Sequence, residues 1–313
     1  MKKRSVILDC DPGQDDAVAI LLALSSTENF DLLGITAVAG NVPLSITESN
    51  ARRICELGGR PDIKVFAGAS QPLMRKLVTA EWIHGKTGID GADLPDPVMP
   101  LQDDHAVDFI ISSCMSAPDK SITVCLLGPM TNMALAMVKE PRIVPKIYEI
   151  VCMGGAVKEL GNTTPAAEFN IYVDPHAAKI VVDSDVPLIM MPLDVTHKAL
   201  VTPSRLQDFK NLNSPVGNAC GGMLDYFNRF DMTRYGFDGG PLHDPCVIAY
   251  LIEPEIFRGR KVHLEIEVSS ELTMGQTVAD WWNVEEKIPN AYICDDLDSE
   301  KFFRLLTRRL ATL

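Results

Sequence analysis

Ser5-Val6-Ile7-Leu8-Asp9-Cys10-Asp11-Pro12-Gly13-Gln14-Asp15-Asp16 is the stretch whose reading decides the fold. Ser5–Leu8 reads as a short strand. Four aspartates (9, 11, 15 and 16) follow, Pro12-Gly13 turns the chain between them, and an apolar helical pattern starts at Ala17. Carboxylates crowded onto one strand-to-helix turn repel one another, and a hard, oxygen-seeking cation such as Mg²⁺ or Ca²⁺ relieves that repulsion. A single Asp at position 15 or 16 has a plainer role, because helix N-termini favour carboxylates. That role does not account for Asp9 and Asp11. The turn therefore reads as half of a metal site, the other half coming from elsewhere in the chain.

Working outward, strand-like runs alternate with helix-like ones. Strands are expected at Asp31–Ala39, Ile63–Ala67, Ile122–Leu127, Ile147–Met153 and Pro187–Met191. Helices are expected at Ala17–Leu24, Leu44–Leu57, Ala106–Met115, Asn132–Val138 and Pro175–Val182. Continuous apolar strands alternating with helices predict an α/β fold with a mainly parallel central sheet covered on both faces. Ligands in such sheets bind beyond the carboxyl ends of the strands. After Val195 helical segments and aromatic residues dominate (Tyr226, Phe227, Phe230, Tyr235, Phe237), which predicts a helical cap, before strands return near Val262–Val268. Gly68–Asp104 is the longest weakly patterned stretch, and long loops of this kind are often functional. No linker splits the chain, so residues 1–313 are expected to form one domain.

A net charge of −13 argues against general affinity for nucleic acid or anionic lipid. The eight cysteines form no CxxC pair and several lie in apolar runs, as expected of reduced thiols in a cytoplasmic protein. No signal peptide fits the N-terminus, and no apolar run reaches the roughly 18 residues of a membrane span.

Three further groups carry chemistry. Glu168 and Asn170 lie two apart, so an extended segment places them on one face, where they suit a polyhydroxylated ligand; Asn41 and Asn162 add to the set. His243 precedes Asp244-Pro245, where Asp244 has helix capping as its plainer role. His84 lies in the long loop. Imidazole passes protons near neutral pH, and His243 and His84 are the two candidates for that work. His105, His176, His197 and His263 read as structural.

Taken together, these residues resemble the nucleoside hydrolase family. DCDPGQDD matches that family's DxDPGxDD signature. The likeness continues through VAGN ending at Asn41, the IHGKTG loop, LGPMTN at 127–132, MGGA at 153–156, AAEFNIYVDP ending at Pro175, LDVTHKA at 193–199 and LHDPC at 242–246. The resemblance implies a Rossmann-like fold and a single Ca²⁺ held by Asp11, Asp16, the backbone carbonyl of Leu127 and Asp244. It implies that Asp11 takes the proton from an attacking calcium-bound water. Asp15 then accepts from the ribose 2′-OH, Asn170 contacts the 3′-OH, and Asn162 and Glu168 hold the 5′-OH. Asn41 and Met153 lie beside the sugar, and His84 and His243 flank the base. His243 is the leading candidate to protonate the departing base, His84 the second. Tyr235 joins a proton relay or an aromatic wall. The implied reaction is hydrolysis of ribonucleosides to ribose and free base. Tyr235–His243 looks like the pyrimidine-preferring members, so uridine and cytidine are the expected substrates, with a purine-preferring or non-specific hydrolase as the alternative. The family also implies a homotetramer. An aspartyl phosphohydrolase and a non-catalytic nucleoside sensor are the competing classes.

Overall fold

The first strand, β1 (Arg4–Cys10), is buried from Val6 to Cys10. A strand covered on both faces reads as a near-continuous apolar run, which here is Val6-Ile7-Leu8, with Asp9 the one charged residue among the buried positions. Val6, Leu8 and Cys10 enter the core on one side of the sheet and Ile7 the core on the other, as the two-residue period of a strand requires. The computed structural model describes residues 3–313, the side chain of Asp231 excepted. β1 pairs in parallel with β2 (Phe30–Ala37) on one side. On the other side it pairs in parallel with a strand at Ile122–Leu126.

With β3 at Val65–Ala67, β4 at Ile122–Leu126, β5 at Ile147–Met153 and β6 at Leu188–Met191, the sheet order is β3-β2-β1-β4-β5-β6. Ala291–Leu297 then adds in parallel to β6, and Phe257–Val262 closes the edge antiparallel to it. The fold class is therefore the expected α/β one, with a mostly parallel sheet flanked by helices. The winding reverses between β1 and β4, and the carboxyl ends of these two strands form the crevice where such sheets bind ligands.

Helix α1 (Gln14–Leu24) is buried along its whole length. It starts three residues before the expected Ala17, which places Asp15 and Asp16 inside its first turn. α2 (Leu44–Leu57) is amphipathic, burying Thr47, Asn50, Ala51, Ile54 and Cys55 on one stripe. The expected cap is present: a 21-residue helix, Pro215–Tyr235, packs on α1 and ends at Gly236, whose φ of 68° is the left-handed conformation glycine supplies.

Strands do return near Val262–Val268, as two: Phe257–Val262 forms the sheet edge, and Leu264–Ile266 pairs separately with Thr277–Ala279. One local expectation needs correction. Glu168 and Asn170 do not lie on one extended segment: Glu168 is extended but caps a short helix, Phe169–Val173, that contains Asn170. Among the described residues no helix is long and apolar enough to cross a membrane.

Candidate active site

The acidic turn closes on itself through Asp16. Its carboxylate, at the third position of α1, accepts from the Gly13 N–H at 2.9 Å and the Asp11 N–H at 3.3 Å, satisfying amides left open at the helix start. Asn41, just beyond the end of β2, ties the turn together. Its backbone N–H donates to Asp11 Oδ2 at 2.7 Å, and its side-chain amide donates to the Asp11 carbonyl at 3.1 Å and to Asp16 Oδ2 at 3.2 Å. Asp9 stands behind, accepting from Thr36 and from Asn132 at 2.8 Å.

Asp244 arrives from more than two hundred residues downstream. It precedes the helix Pro245–Ile252 but makes no side-chain capping hydrogen bond, so its plainer role is not the one it plays. Its carboxyl meets Asp15 and Asp16 instead: oxygens of Asp15, Asp16 and Asp244 all lie within 4.8 Å of one another. Burial pushes Asp11 and Asp244 well above the usual carboxylate range, and the neighbouring aspartates push them further. Burial likewise raises Asp16 to about 6. Asp11 Oδ1 is buried with no hydrogen-bond partner among the described residues. An all-oxygen cluster of buried carboxylates, one with an unmatched oxygen, fits a hard divalent cation. The tight triad contains Asp15, which the resemblance assigns to ribose, while Asp11 sits beside it.

Glu168, Asn170 and Asn162 gather across the cleft. Glu168 accepts from the N–H groups of Gly155 and Asn170, each at 2.9 Å, and burial lifts its carboxyl to about 7. Asn170 donates to the Leu127 carbonyl at 2.6 Å and to the Met153 carbonyl at 3.3 Å. Asn162 accepts from the Phe169 N–H at 3.0 Å. Glu168 and Asn170 thus share a site because of a capped helix turn, not because of strand alternation.

One cleft unites these groups. Asp15, Asn41, Leu127, Met153, Asn162, Glu168, Asn170, Tyr235, His84, His243 and Asp244 all line it, while Asp11 and Asp16 are buried alongside. The short helix Glu81–His84 in the long loop carries His84. Burial lowers both His84 and His243 to about 3. His243 Nδ1 lies 2.8 Å from Thr196 Oγ1. No Lys or Arg lines the cleft among the described residues, so it offers no cation to a phosphate group.

Sequence reasoning places Phe227 and Phe230 in the cap without a ligand contact and gives Phe169 no role; all three line the cleft. Phe227 and Phe230 are three apart on the cap helix, a spacing that puts both on one face. Gln14 was passed over too, although its side chain bonds to His84. His197, read as structural, lies 6.1 Å from His243 between ring centroids.

Comparison with known proteins bears on the family and the fold. The family described as "Inosine-uridine preferring nucleoside hydrolase" matches residues 6–304. An uncharacterized protein of Schizosaccharomyces pombe is 47% identical over 98% of this chain and 99% of its own. A protein of Klebsiella pneumoniae named "Pyrimidine-specific ribonucleoside hydrolase RihA" is 43% identical over 98% of each chain. Among solved structures, the "Purine-Preferring Ribonucleoside Hydrolase from Gardnerella vaginalis" superposes with a TM-score of 0.92 at 33% identity, covering 99% of this chain and 98% of that one.

Proposed function

Because the chain belongs to the inosine-uridine preferring nucleoside hydrolase family, and is therefore an N-glycosidase acting on ribonucleosides, we propose that it hydrolyses pyrimidine ribonucleosides with calcium bound at the acidic turn. The observation that carries this reading is the convergence of Asp15, Asp244, Glu168, Asn170, His84 and His243 on one cleft at the carboxyl ends of β1 and β4. Asp11, Asp16, Asp244 and the Leu127 carbonyl are the groups we assign to hold the ion. When bound, a hard divalent cation supplies Lewis acidity that lets water lose a proton near neutral pH.

The chain's own groups do the rest. Asp11 is fixed through one oxygen by the Asn41 N–H, leaving the other to take the proton of the attacking water. Breaking the N-glycosidic bond develops positive charge on the ribose ring, and buried carboxylates pointed at that ring stabilise it. Asp15 accepts from the 2′-OH, Asn170 contacts the 3′-OH, and Glu168 with Asn162 holds the 5′-OH. Asn41 and Met153 border the sugar. His243, oriented by Thr196, is the group we assign to the departing base, with Tyr235 closing the aromatic wall beside it. All eight cysteines are buried and free, which supports work in the reducing cytoplasm.

The pyrimidine preference is supported by the name of the Klebsiella relative. The purine-preferring Gardnerella structure favours the opposite choice at lower identity. Initial rates on uridine, cytidine, inosine and adenosine decide: uridine or cytidine fastest supports the proposal, and inosine fastest overturns the preference.

A further inference from the structure

We propose that Gln14 sets the tautomer of His84, making the cleft-facing Nε2 a hydrogen-bond acceptor that recognises an N–H donor on the edge of the nucleobase. The recognition half rests on the ribonucleoside reading above; the tautomer half does not.

Gln14 is fully buried in the first turn of α1. Its side-chain nitrogen lies 3.0 Å from the His84 carbonyl oxygen and 3.1 Å from the Asp90 carbonyl oxygen. Backbone carbonyls only accept, so the atom between them must be the amide NH₂, which fixes the orientation of the side chain. Both amide hydrogens are then in use. The remaining atom, Oε1, has only lone pairs to offer, and it lies 2.6 Å from His84 Nδ1. Nδ1 must therefore carry the hydrogen. A neutral imidazole holds one N–H, and burial keeps His84 neutral, lowering it to about 3. Nε2 is left with a bare lone pair. It makes no hydrogen bond to the described residues and is not a buried orphan, so on a ring lining the cleft it is open to the ligand. Gly13 makes room for this arrangement: a Cβ there would come within 2.7 Å of His84 Cε1.

An acceptor cannot hand a proton to a departing base. His84 thereby becomes a specificity residue, and leaving-group assistance falls to His243. The bases it favours present an N–H, such as N3–H of uracil or the exocyclic amine of cytosine. A base methylated at that nitrogen leaves Nε2 unmatched.

The test has two arms. Long-range ¹H–¹⁵N correlation on histidine-labelled enzyme reads the tautomer directly. The expected result is a protonated Nδ1 and a pyridine-like Nε2 for His84, with mixed tautomers in Gln14→Met. Steady-state kinetics on uridine and 3-methyluridine read recognition. Wild type is expected to prefer uridine in kcat/KM by about 10²-fold. Gln14→Met is expected to lose about tenfold on uridine, mainly through KM, with 3-methyluridine unchanged. A protonated Nε2 in wild type overturns the proposal without any variant. Equal losses on both substrates overturn the recognition half. The expected tautomer with no turnover of any ribonucleoside supports the tautomer half and overturns the functional reading, and recognition with it.

Discussion

The side-chain amide of Asn170 donates to the main-chain carbonyl of Leu127 at 2.6 Å. This bond joins the short helix that bears Asn170, a proposed sugar contact, to the end of β4, the strand that adjoins the acidic turn. It links the proposed ribose contact to the proposed ion site through one residue.

Asn170→Ala removes that link and, with both amide hydrogens already given to the Leu127 and Met153 carbonyls, an acceptor for the proposed sugar hydroxyl. Losing a buried hydrogen bond that leaves its partner unmatched costs about 1–3 kcal/mol. We expect kcat/KM on uridine to fall about 10²-fold, with calcium affinity also weakened. Steady-state kinetics and calcium titration check both. An unchanged calcium affinity would detach Leu127 from the ion site.

Asp11 is wedged between two glycines. A Cβ at Gly128 would collide with Asp11 Oδ1, and one at Gly40 with Asp11 Oδ2. Gly128→Ala therefore displaces the proposed base without replacing any side chain of the site. Overpacking of this kind costs about 1–3 kcal/mol of stability. We expect kcat to fall about 10²-fold while KM changes little. A wild-type kcat in the folded variant would mean that the placement of Asp11 is not critical.

Calcium removal has a readable sign. Asp11, Asp16 and Asp244 repel one another in the bare chain. Asp11→Asn is expected to raise the melting temperature in chelator, because it removes one of the repelling charges. With calcium the order reverses, because the variant forfeits ion affinity. Calcium at 100 times its dissociation constant stabilises wild type by about 2.7 kcal/mol. The same rank order with and without calcium would contradict this site.

His84 links stability to pH. Burial lowers it to about 3 in the fold, against about 6.5 in the unfolded chain. Below 6.5 the unfolded chain binds a proton that the fold refuses, so this contribution is full above about pH 6.5 and is lost as pH falls toward 3. His84→Gln removes the term. The stability gap between wild type and variant is expected to shift against wild type as pH falls from about 7 to about 5, by up to about 1.4 kcal/mol per pH unit. Urea unfolding measures it, and parallel curves would mean that His84 titrates alike in both states.

Much of this architecture was legible because its signals are local. The centre of β1, Val6-Ile7-Leu8, is apolar because neighbours cover both its faces, and the Pro12-Gly13 turn announces itself. The start of α1 was placed late because Gln14, Asp15 and Asp16 are polar, yet all three are buried for the site's sake. The edge strand Phe257–Val262 is legible only at its end, near Val262, because Arg258, Arg260 and Lys261 give the rest the charge that protects an open edge. Glu168 and Asn170 were paired correctly for the wrong geometric reason, since capping overrode strand alternation. The meeting of Asp16 with Asp244, and of His84 with Phe227 at 5.4 Å between ring centroids, is purely tertiary. No local period in the chain encodes either contact.

The central claim is tested most directly by incubating the purified protein with uridine and calcium and measuring free ribose and uracil. The account predicts the two products in equal amounts, and none from Asp11→Ala that retains its fold. Equal turnover by that variant, or no release of uracil by wild type, would contradict it.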